Sequence, residues 1–135
     1  MTQQTEYPKE GEIVKWMANP EFCIGTITLK AATADEIYPG MAMRDNTGYI
    51  AVANGQEANV TAIALERVTA AGSEVIKALV RGPALVDSVM IDAVQDAYGD
   101  AAVGFSEMAT YLAALDIRPY PVDLAPTTAV RTQTY

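Results

Sequence analysis

The sequence predicts a mainly β fold with a minor helical part, on three observations. Across residues 37–91, short apolar runs rich in valine, isoleucine and threonine alternate with turns built on single glycines. Helical spacing of apolar residues is confined to the stretch after Arg81, Gly82 and Pro83. Half of the 135 residues are hydrophobic and 19% are charged, a balance that folds around one core rather than staying disordered.

Residues 1–11 are polar, include Tyr7, Pro8 and Gly11, and show no period, which predicts a flexible amino-terminal arm. The domain begins at residue 12. Ile13, Val14, Trp16 and Met17 precede an Asn19-Pro20 turn. Residues 22–24 and 26–29 then read as strand, with Gly25 at a bulge or close approach. Small and acidic residues 31–36 form a linker with room for one helical turn. Tyr38, Pro39 and Gly40 suit a type II turn, which needs proline and glycine at its centre.

A hairpin follows. Residues 41–44 and 49–53 flank Asp45-Asn46-Thr47-Gly48, in which Asn46 and Gly48 tolerate left-handed geometry, and Asn54-Gly55 closes its second strand. Residues 60–65 and 75–80 are almost continuously apolar, so they are expected at central positions with both faces covered. Arg81, Gly82 and Pro83 form a turn. Beyond them Asp92 is positioned to cap a helix that stops at Gly99. Ser106 is positioned to cap a second, whose Met108, Tyr111, Leu112 and Leu115 follow i, i+3, i+4, i+7 spacing. An edge strand over residues 117–122 and a loose tail over 126–135 complete the chain, and the domain spans residues 12–125. Together the elements describe a small β-barrel or β-tulip-like domain with one or two short helices.

The residue inventory argues against catalysis. There is no histidine, which removes the commonest general base, most zinc and iron sites, and every Ser-His or Cys-His nucleophile. Cys23 sits among strand residues without a basic neighbour to activate it, and reads as a buried thiol. Lys77 lies mid-strand and reads as solvent-facing. The nine glycines are scattered singly, so no phosphate loop is built from them. Six acids, Asp87, Asp92, Asp96, Asp100, Glu107 and Asp116, share a stretch without lysine or arginine. Their spacing departs from a calcium loop and fits helix caps and a solvated face. No catalytic, metal or cofactor site is expected.

A net charge of −8 repels polyanions, so neither nucleic acid nor an anionic membrane is an expected partner. The sequence has no basic or apolar leader at its start and no apolar run of about 20 residues, which predicts a soluble protein made in the cytoplasm. Tyr7 in a polar arm points to a partner. For Trp16, packing on the domain is the favoured reading.

The order of features resembles the lambda-like phage head decoration proteins, also called capsid stabilising or cement proteins. The resemblance rests on several pieces in sequence. Ile13-Val14-Lys15-Trp16 and Pro20-Glu21-Phe22 lead into Thr26-Ile27-Thr28-Leu29, followed by Tyr38-Pro39-Gly40-Met41, Gly48-Tyr49-Ile50 and Ala62-Ile63-Ala64-Leu65. Val80-Arg81-Gly82-Pro83-Ala84-Leu85-Val86 comes next, and a helix ends in Leu112-Ala113-Ala114-Leu115-Asp116-Ile117. Asp116 departs from the glycine often found at that turn.

The resemblance implies a non-enzymatic homotrimer on the outer surface of an expanded icosahedral head, bound to the major capsid protein and resisting the pressure of packaged DNA. It places an amino-terminal arm on the capsid, here with Tyr7, Pro8, Ile13, Val14 and Trp16 as the gripping residues. The competing readings are another phage structural component, such as a tail-tube or head-fibre base module, and a small metal- or ligand-binding β barrel.

Overall fold

The computed structural model describes residues 9–30, 36–69 and 73–120. In chain order the elements are α1 (Glu10–Ile13), β1 (Val14–Met17), α2 (Pro20–Cys23), β2 (Ile24–Thr28), β3 (Glu36–Ile37), β4 (Ala42–Asp45) and β5 (Tyr49–Ala51). A 3-10 turn (Glu57–Asn59) leads to β6 (Ala62–Ala64), β7 (Val68–Thr69), β8 (Val75–Leu79) and β9 (Ala84–Val86). Helices α3 (Ser88–Ala97) and α4 (Phe105–Ala113) precede β10 (Ile117–Pro119). More residues are in strands than in helices, as the apolar patterning predicts.

The main sheet has the order β2-β8-β6-β4-β5 and is antiparallel throughout. It curls until its edges touch at one parallel bridge, Leu29 to Tyr49, where the Lys30 N–H donates to the Tyr49 carbonyl at 3.0 Å. The curl goes no further. The expected barrel is therefore an open rolled sheet, because a three-residue β5 offset from β2 offers no continuous ladder along which to close. β6 and β8 are interior strands, as expected. β6 is buried along its whole length, whereas β8 turns Val75 and Lys77 outward, so only its later half is covered on both faces.

A second sheet, β1-β9-β10, packs beside it, with β1 antiparallel and β10 parallel to β9. The chain passes from β9 through α3 and α4 to reach β10, as a parallel pair requires. Core residues from the main sheet (Met43, Ile63, Leu79), the second sheet (Val86, Ile117) and helices α1, α3 and α4 (Ile13, Ile91, Leu112) form one buried cluster. A two-stranded sheet of β3 and β7 completes the fold. No helix among the described residues is long and apolar enough to cross a membrane.

The turn chemistry follows the sequence closely. Gly40 has φ +100° and the Met41 N–H donates to the Tyr38 carbonyl at 3.1 Å, giving the expected turn around Pro39 and Gly40. Gly55 (φ +91°) closes the second hairpin strand. Between β4 and β5 the left-handed residues are Thr47 and Gly48, not Asn46. Asp45 accepts the Gly48 N–H and draws the turn one residue later. Gly25 keeps regular register with Ala78, so it marks a close approach to Val80 and not a bulge.

Residues 22 and 23, expected as strand, belong to the helical turn α2. The Asn19 side chain accepts the Glu21 N–H, and Pro20 at the first position is preset for a helical start. Likewise, Lys9 to Gly11 do not belong to a structureless arm. Lys9 donates its N–H to the Glu12 carboxylate, and α1 carries Ile13 into the core. The rest of the predicted arm, residues 1–8, lies outside the described residues, as do most of the linker and the tail.

Candidate docking surface

The amino-terminal residues singled out from sequence separate sharply. Tyr7 and Pro8 lie outside the described residues. Ile13 is fully buried against Gly40, with its carbonyl accepting the Asp87 N–H at 2.8 Å, so the expectation that it grips a partner is corrected: it anchors α1. Val14 pairs with Val86 on the inward side of β1 and is half-buried. Trp16 is different. It is 50% exposed, against the expectation that it packs into the domain.

The backbone explains this placement. A register irregularity at Lys15 sets Trp16 opposite Leu85, and β10 sets Arg118 opposite Leu85 from the other side. Paired residues share a sheet face, so Trp16, Leu85 and Arg118 form one outward row across three strands. Tyr120 lies two residues beyond Arg118, where its N–H donates to the Val86 carbonyl at 2.7 Å and its ring is exposed. The inward partners Ala84, Val86 and Ile117 are buried. This row was invisible in the sequence except for Trp16, because its other members come together only through strand register.

At the end of the same sheet, the turn residues Arg81, Gly82 and Pro83 join β8 to β9. Arg81 donates to the Phe22 carbonyl and lies 4.8 Å over the exposed Phe22 ring. The Gly82–Pro83 peptide is cis. Gly82 presses against the Asp116 main chain, and Cys23, fully buried, points its Sγ at the Pro83 carbonyl.

Four of the six acids, Asp87, Asp92, Asp100 and Glu107, accept backbone N–H groups. Asp87, rather than Asp92, caps α3 by accepting the Met90 N–H at 3.0 Å. Asp92 instead reaches across to the Phe105 N–H at 2.6 Å, and Glu107 accepts the Gly104 N–H at 2.9 Å, so Gly104 and not Ser106 is the cap of α4. Sequence spacing favoured Asp92 and Ser106, but each is already inside a helix that starts earlier. Asp116 pairs with Arg118. An open depression of about 420 Å³ between α3 and α4 carries Asp92, Asp96 and Glu107 on its walls. Among the described residues no three His, Cys, Asp or Glu side chains are placed together to hold a metal ion. Lys77 faces solvent and pairs with Glu10 at 2.9 Å, which raises its pKa and ties α1 to β8.

Asp100 carries a testable electrostatic signature. Its carboxylate accepts the Ala102 N–H at 3.0 Å and the Asn54 N–H at 2.9 Å, and these bonds, the first foremost, lower its pKa. A carboxyl whose pKa falls on folding stabilises at neutral pH, and that contribution is lost as pH drops through the lowered value. Asp100→Asn is therefore expected to flatten the acid limb of a pH–stability profile, followed by urea unfolding at pH values from neutral downwards. Parallel profiles for the two proteins would contradict this.

Comparison with protein-family models, curated proteins and solved structures found no match to this chain.

Proposed function

We propose that this chain is a non-enzymatic bacteriophage head decoration protein. It binds as homotrimers to the exterior of the expanded icosahedral head through the major capsid protein, and stabilises the shell against internal DNA pressure. The reading rests on the resemblance in feature order. The observation that carries it to a surface is the outward row of Trp16, Leu85 and Arg118. Tryptophan, arginine and tyrosine are the residue types that dominate binding hot spots, and exposed aromatic surface gathered on one sheet face, here Trp16 and Tyr120, is the kind that marks an interaction site. This row starts at Trp16 on β1, one of the residues through which the resemblance places the amino-terminal arm on the capsid.

As a mechanism, one trimer engaging several shell subunits raises its effective affinity through linked contacts, so each copy needs only a modest interface. Repetition over the lattice then resists expansion at every threefold position. Chemistry at a reactive group is not required.

The test separates docking from folding. Trp16→Ala leaves the core intact and is expected to move the thermal midpoint by no more than about 2 °C. It should weaken binding to expanded, undecorated heads by about thirtyfold, the loss expected of a hot-spot residue. Removing residues 1–8, which leaves the Glu10–Lys77 pair and the Ile13 anchor in place, should weaken it as well. Full occupancy of heads by both variants would overturn the proposal.

A further inference from the structure

We propose that the outward row of the β1-β9-β10 sheet receives a segment of the partner protein that bears a carboxylate next to an apolar side chain. Arg118 holds the carboxylate, while Trp16, Leu85 and Tyr120 cover the apolar group. This deepens the docking role proposed above and rests on it.

Three features define the occupant. First, the edges of this sheet discourage strand addition: β1 is irregular at Lys15, and Pro119 on β10 has no N–H to give. The partner is therefore gripped by side chains on the face. Second, Arg118 is poised for a further acceptor. Its side chain is 58% exposed, and its bond to Asp116 uses only Nε, at 3.3 Å. Both terminal nitrogens make no hydrogen bond among the described residues, which leaves the end of the guanidinium fork open to a carboxylate. Third, charge is distributed unevenly. The chain as a whole carries −8, but this face is flanked by Lys15 and Arg118, each balancing one aspartate, Asp87 and Asp116. On this face an acidic segment meets aromatic surface beside two cations, each set against one aspartate, rather than the net negative charge of the chain as a whole.

Trp16 is the only tryptophan of the chain, so its emission reports on the row directly. The probe is a synthetic peptide alternating aspartate and leucine, compared with one in which lysine replaces aspartate. The aspartate peptide is expected to shift Trp16 emission to the blue, with affinity falling about tenfold between low and high salt. The lysine peptide should leave the emission unchanged. Arg118→Glu should lose about tenfold or more in affinity for the aspartate peptide, and Arg118→Lys should retain part of it.

An equal response to both peptides, no response to either, or full binding by Arg118→Glu would overturn the inference. So would sedimentation in which copies of the chain associate with the same blue shift and Arg118→Glu dissociates them, since the occupant would then be a second copy. Expanded heads keep the two proposals apart. If wild-type protein decorates heads independently of salt and of Arg118, this inference fails and decoration stands. If heads stay bare while the aspartate peptide binds, decoration fails and the acidic-segment site stands.

Discussion

Gly82→Ala is expected to destabilise the fold by about 3 kcal/mol or more, lowering the thermal midpoint by about 10 °C or more. A β-carbon on Gly82 would overlap the main-chain carbonyl of Asp116 and lie 2.6 Å from the Ala84 nitrogen. These are backbone atoms, and they cannot swing aside as a side chain does. They are also held in place, because the Gly82 N–H donates to the Leu115 carbonyl at 2.8 Å and the Ala84 N–H to the Asp116 carbonyl at 3.1 Å. Relieving the overlap separates β9 from the turn that feeds β10, which breaks the sheet carrying the Trp16 row. Circular dichroism melting checks this, and a midpoint within about 2 °C of wild type would show that the turn yields more easily than its geometry implies.

Gln95→Leu is expected to cost about 3–5 kcal/mol although the replacement is apolar and similar in size. Gln95 is 2% exposed and is the only buried polar side chain among the described residues. Its Oε1 accepts the Ala42 N–H at 3.1 Å at the start of β4, and its Nε2 donates to the carbonyls of Val103 at 3.1 Å and Asp100 at 3.4 Å. One amide thus joins the main sheet to the loop between α3 and α4. Leucine removes three bonds at once and strands a buried donor and a buried acceptor, each worth about 1–3 kcal/mol unsatisfied. Because the volume is retained, a cavity does not explain the loss. Urea unfolding measures it directly, and a change below about 1 kcal/mol would mean that water replaces the amide.

The parts of the fold legible in the sequence are those written locally. The turn at Gly40, the hairpin from Met43 to Ala51, the interior strands β6 and β8, the later helix α4 and the edge position of Pro119 all follow from residue preferences within a few positions. Cys23 and Lys77 also lie where their neighbours predict, one buried and one facing solvent. What escaped the sequence depends on tertiary partners. The two-residue strands β3 and β7 are too short to show a period. Asp92 looked like the start of its own helix because its true acceptor role, toward Phe105, spans 13 positions. The barrel stayed open because edge contact depends on how two distant strands are offset.

The candidate docking surface was legible by halves. Trp16 drew notice as a large ring beside a polar segment, but its exposure is fixed by the irregular register at Lys15, which composition does not reveal. Leu85 and Arg118 are ordinary residues in sequence and become notable only when β9 places them beside Trp16. Ile13, grouped with Trp16 by proximity, faces the opposite way because α1 turns it into the core.

Whether this face glues a shell together is tested most directly by imaging. Purified protein is mixed with expanded heads that lack it, and the particles are reconstructed by electron microscopy. The expected result is a protrusion at each threefold position, with the β1-β9-β10 sheet turned toward the shell and Trp16 buried beneath it. Smooth heads at saturating protein, or protrusions that leave Trp16 facing solvent, would contradict the account.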